Sequence, residues 1–278
     1  FGLLDGGRGL VAASMGTLGV VIFSIFLTND IDIASLVERK KAFKYVILFS
    51  AFVVFLTGIL IILYMESSKE SIVNKSSSLI PNIKSVIKIQ SVWLIMFIII
   101  AAYVGYKVTD IYSLYASDVM NFNNLEAANI GSLQLYLRPL VCLLIALFSD
   151  KKSYINFIII GFIVMFIGAL IFSLGIVQVN MNYVFLFSLV VVATGTYAIR
   201  ALYFSLMHEG HIPLVLTGTA VGVISVVGYT PDIFASPVIG YLLDTYPGII
   251  GHQYVFSILV VFSVVGLWAS VKFSKSVS

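Results

Sequence analysis

Lys107 and Asp110 stand in residues 101–118, AAYVGYKVTDIYSLYASD, a stretch otherwise apolar enough to lie in lipid. An ionisable group near the centre of a bilayer costs about 2.5–3.5 kcal/mol, so it faces protein or a water-filled cavity and marks a substrate or ion path. Tyr103, Lys107, Asp110 and Leu114 follow i, i+4, i+7, i+11 and share one face of a helix. Lys107 and Asp110, at i, i+3, are spaced to neutralise each other. Two readings stay open: a self-neutralised pair near the outer interface, and a pair that handles substrate or protons. Gln134 and Arg138 lie in a second apolar run, with Arg138 midway along it and Pro139 set to kink it. The surroundings of Arg138 are then a cavity wall, or else carbonyls or an acid from another helix. Asp232 sits between Pro231 and Pro237 and is the best partner in trans for Lys107 or Arg138. Tyr103, Lys107, Asp110, Gln134, Arg138 and Asp232 are thus the candidate substrate-binding residues. Their chemistry is binding: cations to attract an anionic group, carboxylates to hold those cations when the site is empty.

No cluster of His, Asp and Glu converges at one depth, and no Ser/His or metal-ligand constellation occurs, so no enzyme and no cofactor are expected. His208-Glu209-Gly210-His211 has weak metal spacing and reads better as a short polar loop, and no metal is assigned to it.

These residues need spanning helices to hold them. Of the 278 residues, 60% are hydrophobic and 10% charged, with a mean hydropathy of +1.08, whereas a soluble domain carries roughly a quarter charged residues. A spanning helix takes about 20 apolar residues. Eight such runs are read, at 10–27, 45–64, 92–112, 128–148, 154–175, 183–204, 214–237 and 254–271. Strands of a membrane barrel would alternate with period two, and these runs do not. The fold class is therefore all-α, a polytopic membrane helix bundle of eight transmembrane helices. Its partners are the lipid bilayer and a small-molecule substrate. A formal charge of +3 gives no reason to expect nucleic acid. The lone Cys142 allows no internal disulfide.

Eight spans put both ends on one side. That side's loops carry nine basic residues, against four (Arg39, Lys40, Lys41 and Lys44) in one connection on the other. The excess places the termini, and the C-terminus in particular, in the cytoplasm of a cell-membrane protein. The longest connection, 65–90, is Ser- and Lys-rich and reads as a cytoplasmic linker between 1–64, with two spans, and 91–278, with six. Six helices behind a basic linker is the layout of one half of a transporter built from repeated halves, so four helices are expected ahead of Phe1. Gly161 and Gly168 mark one packing face, and Gly218 and Gly222 a second of GxxxG type. Arg200, read as within about a turn of the cytoplasmic end of its span, snorkels by default. Glu209 can bind Arg200 or Lys151, so Asp150, Lys151, Glu209 and Arg200 form a candidate cytoplasmic latch.

This layout resembles the major facilitator superfamily of secondary transporters, with the eight spans similar to its helices five to twelve: the last two helices of the N-terminal half, then the whole C-terminal half. The turn at Asp150-Lys151 resembles the acidic–basic turn between helices eight and nine, though Ala146 stands where glycine is usual and the second glycine-and-basic portion is missing. Gly218-Thr219-Ala220, Gly222, Gly228-Tyr229, Gly240 and Asp244 resemble helix eleven of the organophosphate:phosphate antiporter branch. That resemblance implies exchange of an organic or phosphorylated anion by alternating access, with a basic residue in the region of Lys107 binding the phosphoryl group. The alternatives are a proton-coupled exporter of a neutral or cationic compound, using Asp110 or Asp232 as proton carrier, and a non-transporting membrane sensor or assembly protein.

Overall fold

The computed structural model describes residues 2–27, 35–65, 79–149 and 153–277. All regular structure among them is helical: α1 (Gly2–Ile25), α2 (Leu36–Tyr64), α3 (Leu79–Ile87), α4 (Gln90–Thr109), α5 (Tyr112–Asp118), α6 (Asn124–Ser149), α7 (Tyr154–Ser173), α8 (Asn182–Leu202), a 3₁₀ turn (Tyr203–Ser205), α9 (Leu206–Glu209), α10 (Leu214–Gly228), α11 (Pro231–Thr245) and α12 (Ile249–Val277). Eight helical stretches among the described residues are long and apolar enough to cross a membrane. The molecule is an all-α polytopic bundle.

The chain divides into two compact units, Val11–Ser77 and Phe1–Leu10 with Ser78–Ser278. In the smaller unit, α2 opens on a capping box: Ser35 Oγ accepts from the Glu38 amide at 3.3 Å, and the Glu38 carboxylate accepts from the Ser35 amide at 3.1 Å. This start precedes residue 45, so Arg39, Lys40, Lys41 and Lys44 are helical and not part of a loop. Phe26 stacks on Tyr45, with centroids 4.0 Å apart.

In the larger unit α4 is the axis. It packs on α12, α8, α10, α11 and α3, and most of its residues are buried. Glycines set the close approaches. A Cβ on Gly105 would lie 2.7 Å from Met165 Sδ and 3.0 Å from Thr196 Oγ1, so α4 meets α7 and α8 there without a side chain between them. The expected Gly161/Gly168 face holds α7 on α8, where a Cβ on either glycine would overlap Ile199 or Val192. Gly218 and Gly222 have open space around them and pack against nothing among the described residues.

Two spans break, and each break has a local cause. After Thr109 the ladder tightens, with the amides of Asp110 and Ile111 donating to Lys107 and Val108 carbonyls, while the Thr109 hydroxyl takes the Tyr106 carbonyl at 2.6 Å. Helix resumes at Tyr112, so the helical run expected over 92–112 stops early. The run 214–237 is likewise two helices. Pro231 brings no amide to continue α10 and instead occupies the first turn of α11, where a missing donor costs least. The Thr230 hydroxyl donates to the Val227 carbonyl at 2.7 Å, repeating the Thr109 arrangement. Gly240 and Asp244 lie within α11.

Candidate functional site

Both breaks serve one place. A Cβ on Gly228 would come 2.5 Å from Ile99 Cγ2, so α10 rests directly on α4 at its last residue. That contact sets the turn at Tyr229–Thr230, and hence the first turn of α11, beside the C-terminal part of α4. Asp232 there faces Lys107. Lys107 Nζ lies 2.7 Å from Asp232 Oδ1, and the Tyr103 hydroxyl donates to Asp232 Oδ2 at 2.9 Å. Tyr103 and Lys107, one turn apart on α4, thus engage both carboxylate oxygens. Lys107 makes its ion pair across helices and none with Asp110, which ends α4 as its C-cap and is exposed.

Around this pair is a layer of tyrosines and guanidinium groups. Tyr229 packs edge-on to Tyr103 at 4.9 Å, and its hydroxyl is 3.4 Å from that of Tyr203. Arg200 Cζ sits 4.0 Å from the Tyr106 centroid and 5.2 Å from that of Tyr103. Arg138 Cζ is 5.8 Å from the same Tyr106 ring. One tyrosine face region therefore holds two guanidinium groups, an attraction that strengthens as the groups lose water. Nε and Nη1 of Arg200 are buried and donate no hydrogen bond. Gln134, buried, donates from Nε2 to the Tyr197 hydroxyl at 3.3 Å and supports the rear of this layer. Gly9 lets the Arg138 side chain pass, since a Cβ there would lie 3.0 Å from Arg138 Cγ.

Of the six residues expected to bind substrate, Tyr103, Lys107 and Asp232 are bonded together, and Arg138 and Gln134 stand behind them. Asp110 is nearby but unbonded to them. Arg200 joins this group and not the cytoplasmic one. Its helical stretch continues through the 3₁₀ turn and α9 to Glu209, which sets Arg200 deeper than residue 204 as a span end implies. Glu209 is engaged elsewhere: its carboxylate accepts from the amides of Tyr154 (2.6 Å) and Ile155 (3.3 Å) and from Ser153 Oγ, capping the N-terminus of α7. Asp150 and Lys151 lie outside the described residues. Sequence reasoning passed over Tyr106, Tyr203 and Tyr229. Tyr106 sits three residues from Tyr103 and one before Lys107, and that spacing was the available signal.

A second acid–base contact lies farther along the chain, at the end of α5. His252 Nε2 is 3.2 Å from Asp118 Oδ2, and the His252 ring is buried and edge-on to Tyr115 at 4.9 Å. Tyr115 donates to the Val177 carbonyl at 3.0 Å, and burial pushes its phenol well above the ordinary tyrosine range.

Bundle and cluster together define a multi-span membrane protein with a polar, cation-rich site between its spans. The chain is 27% identical over 298 residues to inner membrane protein YihN of Escherichia coli strain K12, covering 100% of this chain and 66% of that protein. It is 25% identical over 257 residues to inner membrane protein YqcE of the same organism, covering 88% of this chain and 58% of that one. The chain spans less than two thirds of the length of these relatives. No protein-family model and no solved structure matches it.

Proposed function

We propose that the chain belongs to a secondary active transporter that carries a small organic or phosphorylated anion by alternating access, with the helix organisation of the major facilitator superfamily it resembles. The observation that carries this reading is the gathering of cationic side chains around Tyr103 and Tyr106. Lys107, Arg138 and Arg200 gather on two tyrosines, while the carboxylate bonded among them is that of Asp232. An anion entering here gains charge-assisted hydrogen bonds that are roughly twice as strong as neutral ones. Asp232 holds Lys107 and Tyr103 in the empty site, and an anion takes over that role when bound. Exchange of one partner for another is the differential contact that couples binding to a change of state. The C-terminus is read as cytoplasmic from the distribution of basic residues.

The test is counterflow in proteoliposomes carrying the intact protein, with labelled inorganic phosphate and glycerol 3-phosphate as probes. Phosphate esters are expected to compete and tetraphenylphosphonium is not, and Lys107→Ala is expected to abolish uptake while membrane expression persists. Normal uptake by Lys107→Ala overturns the site. Competition by the lipophilic cation instead points to a cation exporter with Asp232 as the carrier.

A further inference from the structure

The described part of the connection before α4 is a helix with two distinct sides. On α3, Val86 is fully buried where the helix packs on α4 and α10. Ile80, Ile83 and Ile87 are exposed, at 67%, 37% and 41%. At 100° per residue these three fall within one 60° sector, and Lys84 and Lys88, both exposed, follow along one edge of it. α3 is followed within three residues by α4, which enters the bilayer. The indole N–H of Trp93, half exposed, donates to the Ile87 carbonyl at 2.7 Å. That bond satisfies one of the open carbonyls at the end of α3 and fixes the elbow between the two helices. Trp is the residue enriched at the membrane–water boundary.

We propose that α3 is an interfacial helix that binds anionic phospholipid of the leaflet through which α4 enters. Ile80, Ile83 and Ile87 lie among the upper acyl chains, and Lys84 and Lys88 engage phosphate groups. The fold supplies both depth and charge. The helix is covalently adjacent to a spanning segment, so its isoleucine stripe lies at the boundary, and the two lysines adjoin that stripe where headgroups would meet it. A lysine near an anionic surface favours association by about fivefold, so the pair acts as a lipid-charge sensor of modest strength. The reading is independent of what the protein transports.

Two measurements on the intact protein in nanodiscs test it. With Cys142→Ala as background, bimane is placed at Ile80→Cys or at Ser85→Cys on the polar side. Brominated acyl chains are expected to quench position 80 at least threefold more than position 85, and iodide the reverse. Native mass spectrometry in mixed phosphatidylcholine and phosphatidylglycerol is expected to show a tenfold or greater preference for the anionic lipid, lost in Lys84→Gln/Lys88→Gln and retained in Lys84→Arg/Lys88→Arg. The arginine variant separates charge from any loss of fold. Iodide access at position 80 overturns the proposal, as does lipid retention indifferent to charge. A position 80 shielded from both quenchers overturns it too, and shows a protein partner on this face.

Discussion

Among the described residues of the larger unit, two acid–base pairs differ in what surrounds them. His252 is packed on all sides, with Tyr115, Phe172, Phe185 and Phe256 forming a continuous aromatic cluster beside it. There the pair joins α5 to α12, with the imidazole sealed and the Asp118 carboxylate 36% exposed. Lys107–Asp232 has the more open setting: the Asp232 side chain is 48% exposed, and Arg200 lies over the adjoining Tyr103 and Tyr106 rings. Both pairs link helices, yet only the second leaves an oxygen-accepting site among cations. A pair whose base is sealed by rings holds structure together, and a pair facing open space beside a guanidinium whose Nε and Nη1 make no hydrogen bond is available for exchange.

That contrast is open to direct attack. The largest effect is expected for Lys107→Ala, where loss of the cation leaves Asp232 uncompensated and lowers probe uptake by roughly a hundredfold or more. Counterflow at equal expression measures it. His252→Ala should do the reverse. Emptying a packed ring site costs about 3 kcal/mol and lowers Tm by roughly 6–12 °C, with uptake per folded molecule unchanged. A thermal melt alongside counterflow reads both, and a His252→Ala protein that melts normally but fails to transport would erase the distinction. Gly228→Leu is next, since added carbons against Ile99 cost about 1–3 kcal/mol and move Asp232 away from Lys107. Its uptake should fall about tenfold, with a Tm loss of a few degrees by the same scale. Arg200→Lys keeps charge but loses the flat stack on Tyr106, worth about 0.5–2 kcal/mol. The half-saturating probe concentration is expected to rise about tenfold with the maximal rate little changed. The smallest effect belongs to Glu209→Gln, which weakens the α7 cap by about 1 kcal/mol and shifts only the melt.

The helical bundle was legible because long apolar runs have few alternatives in lipid. Lys107, Asp232 and Arg138 were legible because a charge in such a run stands out one residue at a time. The pairing was not fixed by that. Lys107 had a neighbour on its own helix in Asp110 and one elsewhere in Asp232, and spacing alone favours neither. What decides is the pair of breaks. The Thr109 turn carries Asp110 out of the α4 spiral, and the Gly228 contact with the turn before Pro231 carries Asp232 in. Arg200 was misplaced for a related reason. Hydropathy ends its span near residue 204, but the backbone continues through a 3₁₀ turn into α9, and hydropathy does not register that continuation. The tyrosines were hidden by their ambiguity, because at span ends they read equally well as boundary markers.

Cys142 is the one thiol in the chain, buried, with its Cβ only 3.3 Å from where a side chain on Gly6 would begin. A maleimide reaches it only when the first turns of α1 part from α6. Cys142 is therefore a native chemical clock for that separation. Its labelling rate, followed with and without a candidate solute, reports opening at the Arg138 end of the site with no engineered residue at all.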